Sequence, residues 1–415
     1  MHRVLAPAHP RRLTAGARRG SQVIGVAMAT ILVTAAGCSP STPRAGRTNV
    51  DSSTVTRPTS PVPVPVPVPL PPVKEFLLQS VSFISPTTGW VFGESPCSLG
   101  RCFALFDTSD GGTSWNASTS PPFSASPSSP SFDSATIAFA DARDGWAFDT
   151  SETQVGGGTG DQLFSTHDGG TSWAPVTLGN GDQSRVSAMG DGNAHVWVIT
   201  FDTVGDDFAI YGSPAPDDDF TRSTFSFPLS AGPATDFSLA LQGEHGWVVE
   251  NDRGVITGAS LDHDAWTAWT PPCTRASGSY DDESLAGVSP TYVVALCPPN
   301  IVASMPPPTA LFASMDAGRT FQMVSTDVPS ATAGLATSPS GTLFSFDGQG
   351  IVASFDGGST WQTVLGFGPS TFPYPPHAGV TFVTSAVGYA TSPAGALFKT
   401  VDGGHGWRAV GLPST

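Results

Sequence analysis

From Lys74 to Thr415 the chain repeats one order of apolar and polar positions. A short apolar run gives way to a turn, a Gly-Trp step or a variant opens a second apolar run, and an acidic glycine turn leads into an aromatic residue. Short apolar runs bounded by Gly, Pro, Asp and Ser predict strands joined by tight turns. Long amphipathic helices are not supported. The first half of the unit recurs as Thr88-Gly89-Trp90, Asp144-Gly145-Trp146, His195-Val196-Trp197, His245-Gly246-Trp247, Pro290-Thr291-Tyr292, Ser340-Gly341-Thr342-Leu343 and Val387-Gly388-Tyr389. These seven occurrences lie about 45 to 56 residues apart, which is the period of a four-stranded propeller blade.

The second half is clear five times. It runs Thr108-Ser109-Asp110-Gly111-Gly112-Thr113-Ser114-Trp115 in the first unit and recurs around Asp168, Asp316, Asp356 and Asp402, with Phe321 replacing Trp in one copy. Degenerate copies fall around Asp217 to Phe220 and Asp262 to Trp269, where the period demands them. The motif resembles the Asp-box, or BNR, repeat, Ser/Thr-x-Asp-x-Gly-x-Thr-Trp. Its logic is local: the carboxylate takes the N–H groups of the turn, glycine supplies the positive φ, and the aromatic packs on a neighbouring strand. Two patterns in register predict an all-β fold, a seven-bladed β-propeller of four-stranded blades over residues 74–415. The first blade is expected at Gln79 to Ile84, Trp90 to Gly93, Cys102 to Asp107 and Ser114 to Thr119. The Gly-Trp aromatics and strand apolars such as Phe83, Phe139 and Phe382 are expected in the core between blades.

The first 73 residues have a different grain. An Arg-rich stretch precedes an apolar run from Val23 to Ala36, and residues 1–37 read as a signal peptide. Ala35-Ala36-Gly37-Cys38 resembles a bacterial lipobox, in which Cys38 accepts diacylglycerol; Ala35 stands where Leu is commoner. Residues 38–73 then form a lipidated, Pro-rich stalk. The run from Pro61 to Pro69 alternates with Val and imposes polyproline II geometry at about 3.1 Å per residue. The protein is therefore expected to be exported and anchored to the outer face of the cell membrane.

Charge narrows the partners. The formal net charge is −16, and removing residues 1–37, which carry five arginines and no acid, leaves −21. Such a surface repels nucleic acid and anionic headgroups, so membrane contact falls to the lipid anchor. The chain is expected to be a monomer.

The resemblance extends to several Asp-box families. Sialidases hold a substrate carboxylate with three arginines, but the inner strands expected here carry no charge and the arginines are scattered singly. Xyloglucan-active glycosidases use paired carboxylates between two propellers, and this chain has one. Non-catalytic relatives fit better: photosystem II assembly factors of the Hcf136 type, with very similar repeats, and the peptide-binding sortilin-type propellers. The function expected is a protein-binding or assembly scaffold, with a glycoside hydrolase acting on extracellular glycans as the alternative.

The repeats also divide the surface. Asp110, Asp168, Asp316, Asp356 and Asp402 belong to C-to-D turns and are expected to be structural, with no catalytic residue assigned. No cofactor and no metal is expected: histidines stand singly, no Cys/His spacing suggests zinc, and the acidic runs Asp217-Asp218-Asp219 and Asp281-Asp282-Glu283 read as solvated surface. In an oxidising compartment the cysteines pair as Cys97–Cys102 in the B-to-C loop of blade 1 and Cys273–Cys297 around the link from blade 4 to blade 5. Both would stiffen the face that bears the longest loops. Arg101, Phe123, Tyr280, Phe372 and Tyr374 are the candidate contacts there for a protein or glycan ligand.

Overall fold

The computed structural model describes residues 76–98, 100–123, 135–149, 163–178, 184–192, 195–202, 207–227, 236–252, 255–273, 284–297, 309–329, 332–367 and 379–413. All belong to the second of two compact units, Val62–Thr415. They form seven antiparallel sheets of four strands, and none is helical. Blade 1 comprises β1 (Leu77–Phe83), β2 (Gly89–Cys97), β3 (Gly100–Thr108) and β4 (Asn116–Ser118). Blade 2 holds β5 (Ala135–Phe139), β6 (Gly145–Asp149), β7 (Leu163–Thr166) and β8 (Ala174–Val176). Blade 3 holds β9 (Ser184–Gly192), β10 (His195–Asp202), β11 (Asp207–Pro214) and β12 (Thr221–Ser226). Blade 4 holds β13 (Asp236–Gln242), β14 (His245–Asp252), β15 (Val255–Asp262) and β16 (Ala265–Trp269). Blade 5 holds β17 (Ser284–Ser289), β18 (Tyr292–Cys297), β19 (Thr309–Ser314) and β20 (Gln322–Val328). Blade 6 holds β21 (Thr332–Thr337), β22 (Leu343–Phe346), β23 (Gly350–Ser354) and β24 (Gln362–Gly366). Blade 7 holds β25 (Val380–Phe382), β26 (Gly388–Thr391), β27 (Leu397–Thr400) and β28 (Arg408–Val410). Each sheet keeps its strands in chain order, so the described residues show no strand exchange where the ring closes.

Period-two alternation divides each strand between two seams. In β2, Trp90 and Phe92 join the cluster shared with blade 2, while Val91 joins the cluster shared with blade 7. In β14, Val248 faces blade 3, whereas Trp247 and Val249 face blade 5. The described core is seven such clusters, one per seam, including the seam between blades 7 and 1.

The Gly-aromatic pair has a different job on each side of its strand. Phe139 of β5 pairs with Gly145 across the ladder and stacks on Trp90 of the preceding blade at 3.7 Å, 3° from parallel. Phe83 does the same over Gly89 against Tyr389, at 3.5 Å and 7°. A Cβ on Gly145 would lie 2.5 Å from the Phe139 ring, and one on Gly89 2.2 Å from Phe83. Glycine thus makes room in one seam for the ring that the next residue's counterpart covers. The polar end of the aromatic reaches onward: Trp90 Nε1 donates to Gly169 O of blade 2, Trp247 Nε1 to Ala317 O of blade 5, and Tyr389 Oη to Pro86 O of blade 1.

Inner strands leave a free edge, which sheet proteins must satisfy. Ser80 and Ser82 of β1 accept the N–H groups of Ile137 and Phe139; Ser238 and Ser284 do the same for Leu285 and Leu335 one blade on. The inner strands are longer than their apolar centres suggest, so the expectation that they lack charge needs correction. Arg185 and Asp191 fall within β9 and Asp236 within β13.

Gly145→Ala should destabilise the propeller by about 1–3 kcal/mol through overpacking against Phe139. Gly366→Ala, with open space at its Cβ position, should be neutral or stabilise by up to about 1 kcal/mol. Urea unfolding of both variants checks the contrast.

Candidate functional site

In blades 1, 2, 5 and 7 the acidic C-to-D turn docks on the A-to-B turn of its own blade. Gly111 N–H donates to Thr87 O, Gly169 to Arg143 O, Ala317 to Thr291 O and Gly403 to Ala386 O, at 2.8–2.9 Å. The C-to-D and A-to-B turns therefore share one face of the ring, and the B-to-C and D-to-A connections open on the other. The propeller begins on that second face, because Leu77 pairs with Glu94 near the end of β2.

The turn aspartates are consumed locally. Asp110 Oδ1 accepts from Thr108 Oγ1 at 2.8 Å and from the N–H groups of Thr113 and Ser114, while Oδ2 takes the Ser114 hydroxyl at 2.6 Å. Asp168, Asp316 and Asp356 repeat the pattern with Ser172, Thr320 and Thr360. That hydroxyl, followed by the N–H of the same residue, brings all four carboxyls down to about 2. In blade 7 the position is Gly406. Burial there pushes Asp402 up, but the Gly406 N–H and the Thr400 hydroxyl outweigh it and the carboxyl still lies below its ordinary value.

Blades 3 and 4 spend their turn acids differently. Asp218 reaches across the seam to blade 2, where it accepts from Ser165 Oγ at 2.6 Å and Trp146 Nε1 at 3.4 Å and contacts His167 Nε2 at 3.1 Å. His167 Nδ1 lies 2.7 Å from Asp144 Oδ1. In blade 4, His263 sits 2.9 Å from Asp262 and 3.2 Å from Glu244, and His245 lies 3.4 Å from Asp262. The histidines expected to stand singly face carboxylates instead, while the Asp217–Asp219 run is exposed as expected, with Asp218 also bonded to blade 2. The signal available was positional: His167 occupies the variable site of one turn, and Asp218 falls where the next turn should be.

On the opposite face the structure contains both expected disulfides, Cys97–Cys102 and Cys273–Cys297. β2 and β3 continue to Cys97 and Gly100, so the first bridge closes the end of a hairpin rather than a long loop. Arg101 lies inside this hairpin, its Nε 2.9 Å from Glu94 Oε2 and its Nη2 donating to Glu94 O at 2.8 Å. Phe123 is drawn into packing, with ring contacts to Phe92, Phe103 and Phe164 at 5.3–6.0 Å. Cys38, Tyr280, Phe372 and Tyr374 lie outside the described residues.

Two shallow grooves mark the face of the C-to-D turns. One of about 580 Å³ at the closing seam is lined by Thr113, Lys399, Val401, Asp402 and Arg408. Lys399 Nζ there donates to Pro86 O and Gly111 O of blade 1 and lies 5.2 Å from the Tyr389 ring centre. The other, about 390 Å³, lies between blades 6 and 7, where Phe355 stacks on His405 at 4.0 Å. Each groove has one carboxylate, already bonded within its own turn. No group of three His, Cys, Asp or Glu side chains suited to a metal ion occurs among the described residues.

No protein-family model and no curated protein matches the chain. Solved structures do. YCF48 from Cyanidioschyzon merolae is 15% identical with a TM-score of 0.51, covering 80% of this chain and 97% of its own. The β-propeller domain of the Trilobed protease from Pyrococcus furiosus is 7% identical with a TM-score of 0.50, covering 82% and 99%. YCF48 bound to D1 peptide is 17% identical with a TM-score of 0.49, covering 81% and 95%. At these identities the likeness is one of fold.

Two outcomes follow from the geometry. The four depressed turn carboxyls contribute stability that is complete above 3.8 and is lost as pH falls toward about 2. Acid titration of the unfolding midpoint should fall over that window, and converting these aspartates to Asn should flatten it. Replacing Cys273 and Cys297 together with Ala, which opens a closure spanning 24 residues, should cost about 3 kcal/mol in denaturant unfolding.

Proposed function

We propose that this protein is an extracytoplasmic, lipid-anchored scaffold whose propeller holds a protein partner on the face of the B-to-C and D-to-A connections. The observation that carries the reading is the position of the two disulfides. Cys97–Cys102 braces the β2–β3 hairpin, and Cys273–Cys297 ties the segment after β16 to the end of β18. Both restrain backbone on the loop face, and neither touches an Asp-box turn. Restraining a surface before a partner arrives lowers the ordering cost of binding. Arg101, held by Glu94 with its side chain 36% exposed, offers a positioned guanidinium on that face. On the opposite face the turn carboxylates of blades 1, 2, 5, 6 and 7 are bonded within their own turns.

In this reading Cys38 carries the acyl chains and the Pro-rich stalk joins them to the loop-face end of β1. Envelope complex assembly is the setting that suits such a module. Co-purification of the full-length protein from membranes, with crosslinking, should recover a protein partner. Substitution of Arg101, Tyr280, Phe372 and Tyr374 by Ala should weaken capture at least tenfold, while Asp356→Asn leaves it unchanged. Cys38→Ala should release the protein from the membrane. The reverse pattern of substitutions, or glycan turnover that dies with one loop carboxylate, would overturn the scaffold reading in favour of a hydrolase.

A further inference from the structure

The seam between blades 2 and 3 is bridged by a histidine with a carboxylate on each ring nitrogen. Asp144, from the A-to-B turn of blade 2, lies 2.7 Å from Nδ1, and Asp218, from the C-to-D turn of blade 3, lies 3.1 Å from Nε2. Only an imidazolium can donate to both, since the neutral ring has one donor and one acceptor. We propose that Asp144, His167 and Asp218 form a pH-sensitive clasp across this seam, closed while the ring holds two protons and released when it loses one.

Three features support it. First, blade 3 lacks the self-bonded Asp-box that closes the turns of blades 1, 2, 5, 6 and 7. Its turn is held within the blade by Ser213 Oγ donating to Asp217 O and Asp217 N–H donating to Pro214 O, and its carboxylate is exported to blade 2. Second, the surrounding charge favours the cation. The elements packed around the ring carry Asp141, Arg143 and Asp144 on the A-to-B turn, Asp168 on its own turn, and Asp217, Asp218 and Asp219 from blade 3. Arg143 is the guanidinium of these turns, Arg222 lies beyond on β12, and Asp141 is already taken by the N–H groups of Arg143 and Asp144. Third, partial burial of His167 pushes against the charge, but the hydrogen bonds and charges of Asp144 and Asp218 prevail and raise it above 6.5.

The geometry also says which bond goes. The Asp144 side chain is 13% exposed and that of Asp218 31%, so a lone pair turned toward Asp144 costs more. The proton therefore leaves Nε2, the bond within blade 2 stays, and the contact between blades becomes a lone pair facing a carboxylate. Because the folded state binds this proton more tightly than the unfolded chain, the contribution is complete below 6.5 and disappears as pH rises through the folded value.

The test uses the full-length protein with isotope-labelled histidine. The His167 ring should titrate above 6.5, as an imidazolium carrying both N–H protons, and Asp218→Asn should move it down. Hydrogen exchange at Trp146 and Ser165, corrected for intrinsic rate, should quicken several-fold between pH 5.5 and 8.5. His167→Gln should abolish that difference. A ring that titrates at or below 6.5, or exchange in His167→Gln that keeps the full dependence on pH, would overturn the clasp. If His167→Gln does not fold, the Asp218→Asn titration decides the matter alone.

Discussion

The structure depends on a flat three-part contact at the seam: an aromatic from the second strand of one blade, a phenylalanine from the first strand of the next, and the glycine beneath it. Stacked rings at 3.5–3.7 Å leave no space for a Cβ under the phenylalanine. The Gly-aromatic dipeptide is thus one residue for each of two seams, and the full contact forms on both sides of blade 1, with blade 7 and with blade 2. Where the pair changes, the packing changes with it. Between blades 3 and 4, Trp197 meets Trp266 edge-on at 5.6 Å, and between blades 6 and 7, Phe344 and Phe382 sit 5.1 Å apart and tilted by 26°.

Closing a ring requires the last seam to equal the others without a continuing chain. Tyr389 supplies both the ring that covers Phe83 and the hydroxyl that reaches Pro86. Burial raises the Tyr389 phenol and lowers the Lys399 amine beside it, as expected where polar groups serve a packed joint. Trp115 completes the joint by donating to Gly411 O at 2.7 Å. Among the described residues, side chains hold this joint together.

The two faces carry different restraints. On one, carboxylates and hydroxyls of the same turn satisfy each other, leaving side chains at the variable position free to project. Met315 and Val401 are 72% and 62% exposed there, while His167 uses the same position to bridge blades. On the other, restraint is covalent, through two disulfides. The first kind is local and survives in any turn with the right residues. The second depends on which segments the fold brings side by side.

Much of this was legible in the chain itself, because the forces responsible act over a few residues. Turn geometry needs Asp, Gly and a hydroxyl within about six positions, and strand burial needs only alternation, so blade number, strand order and the burial of Trp146 between blades could be read directly. Contacts between elements distant in sequence could not be. His167 and Asp218 are 51 positions apart and look like a lone histidine and a solvated acidic run. Phe123 looks like a loop aromatic until Phe92, Phe103 and Phe164 surround it. Local hydrogen bonding and periodicity thus dictate the ring and its number of blades. Tertiary packing alone decides which charges share a seam and which aromatics stay outside the core.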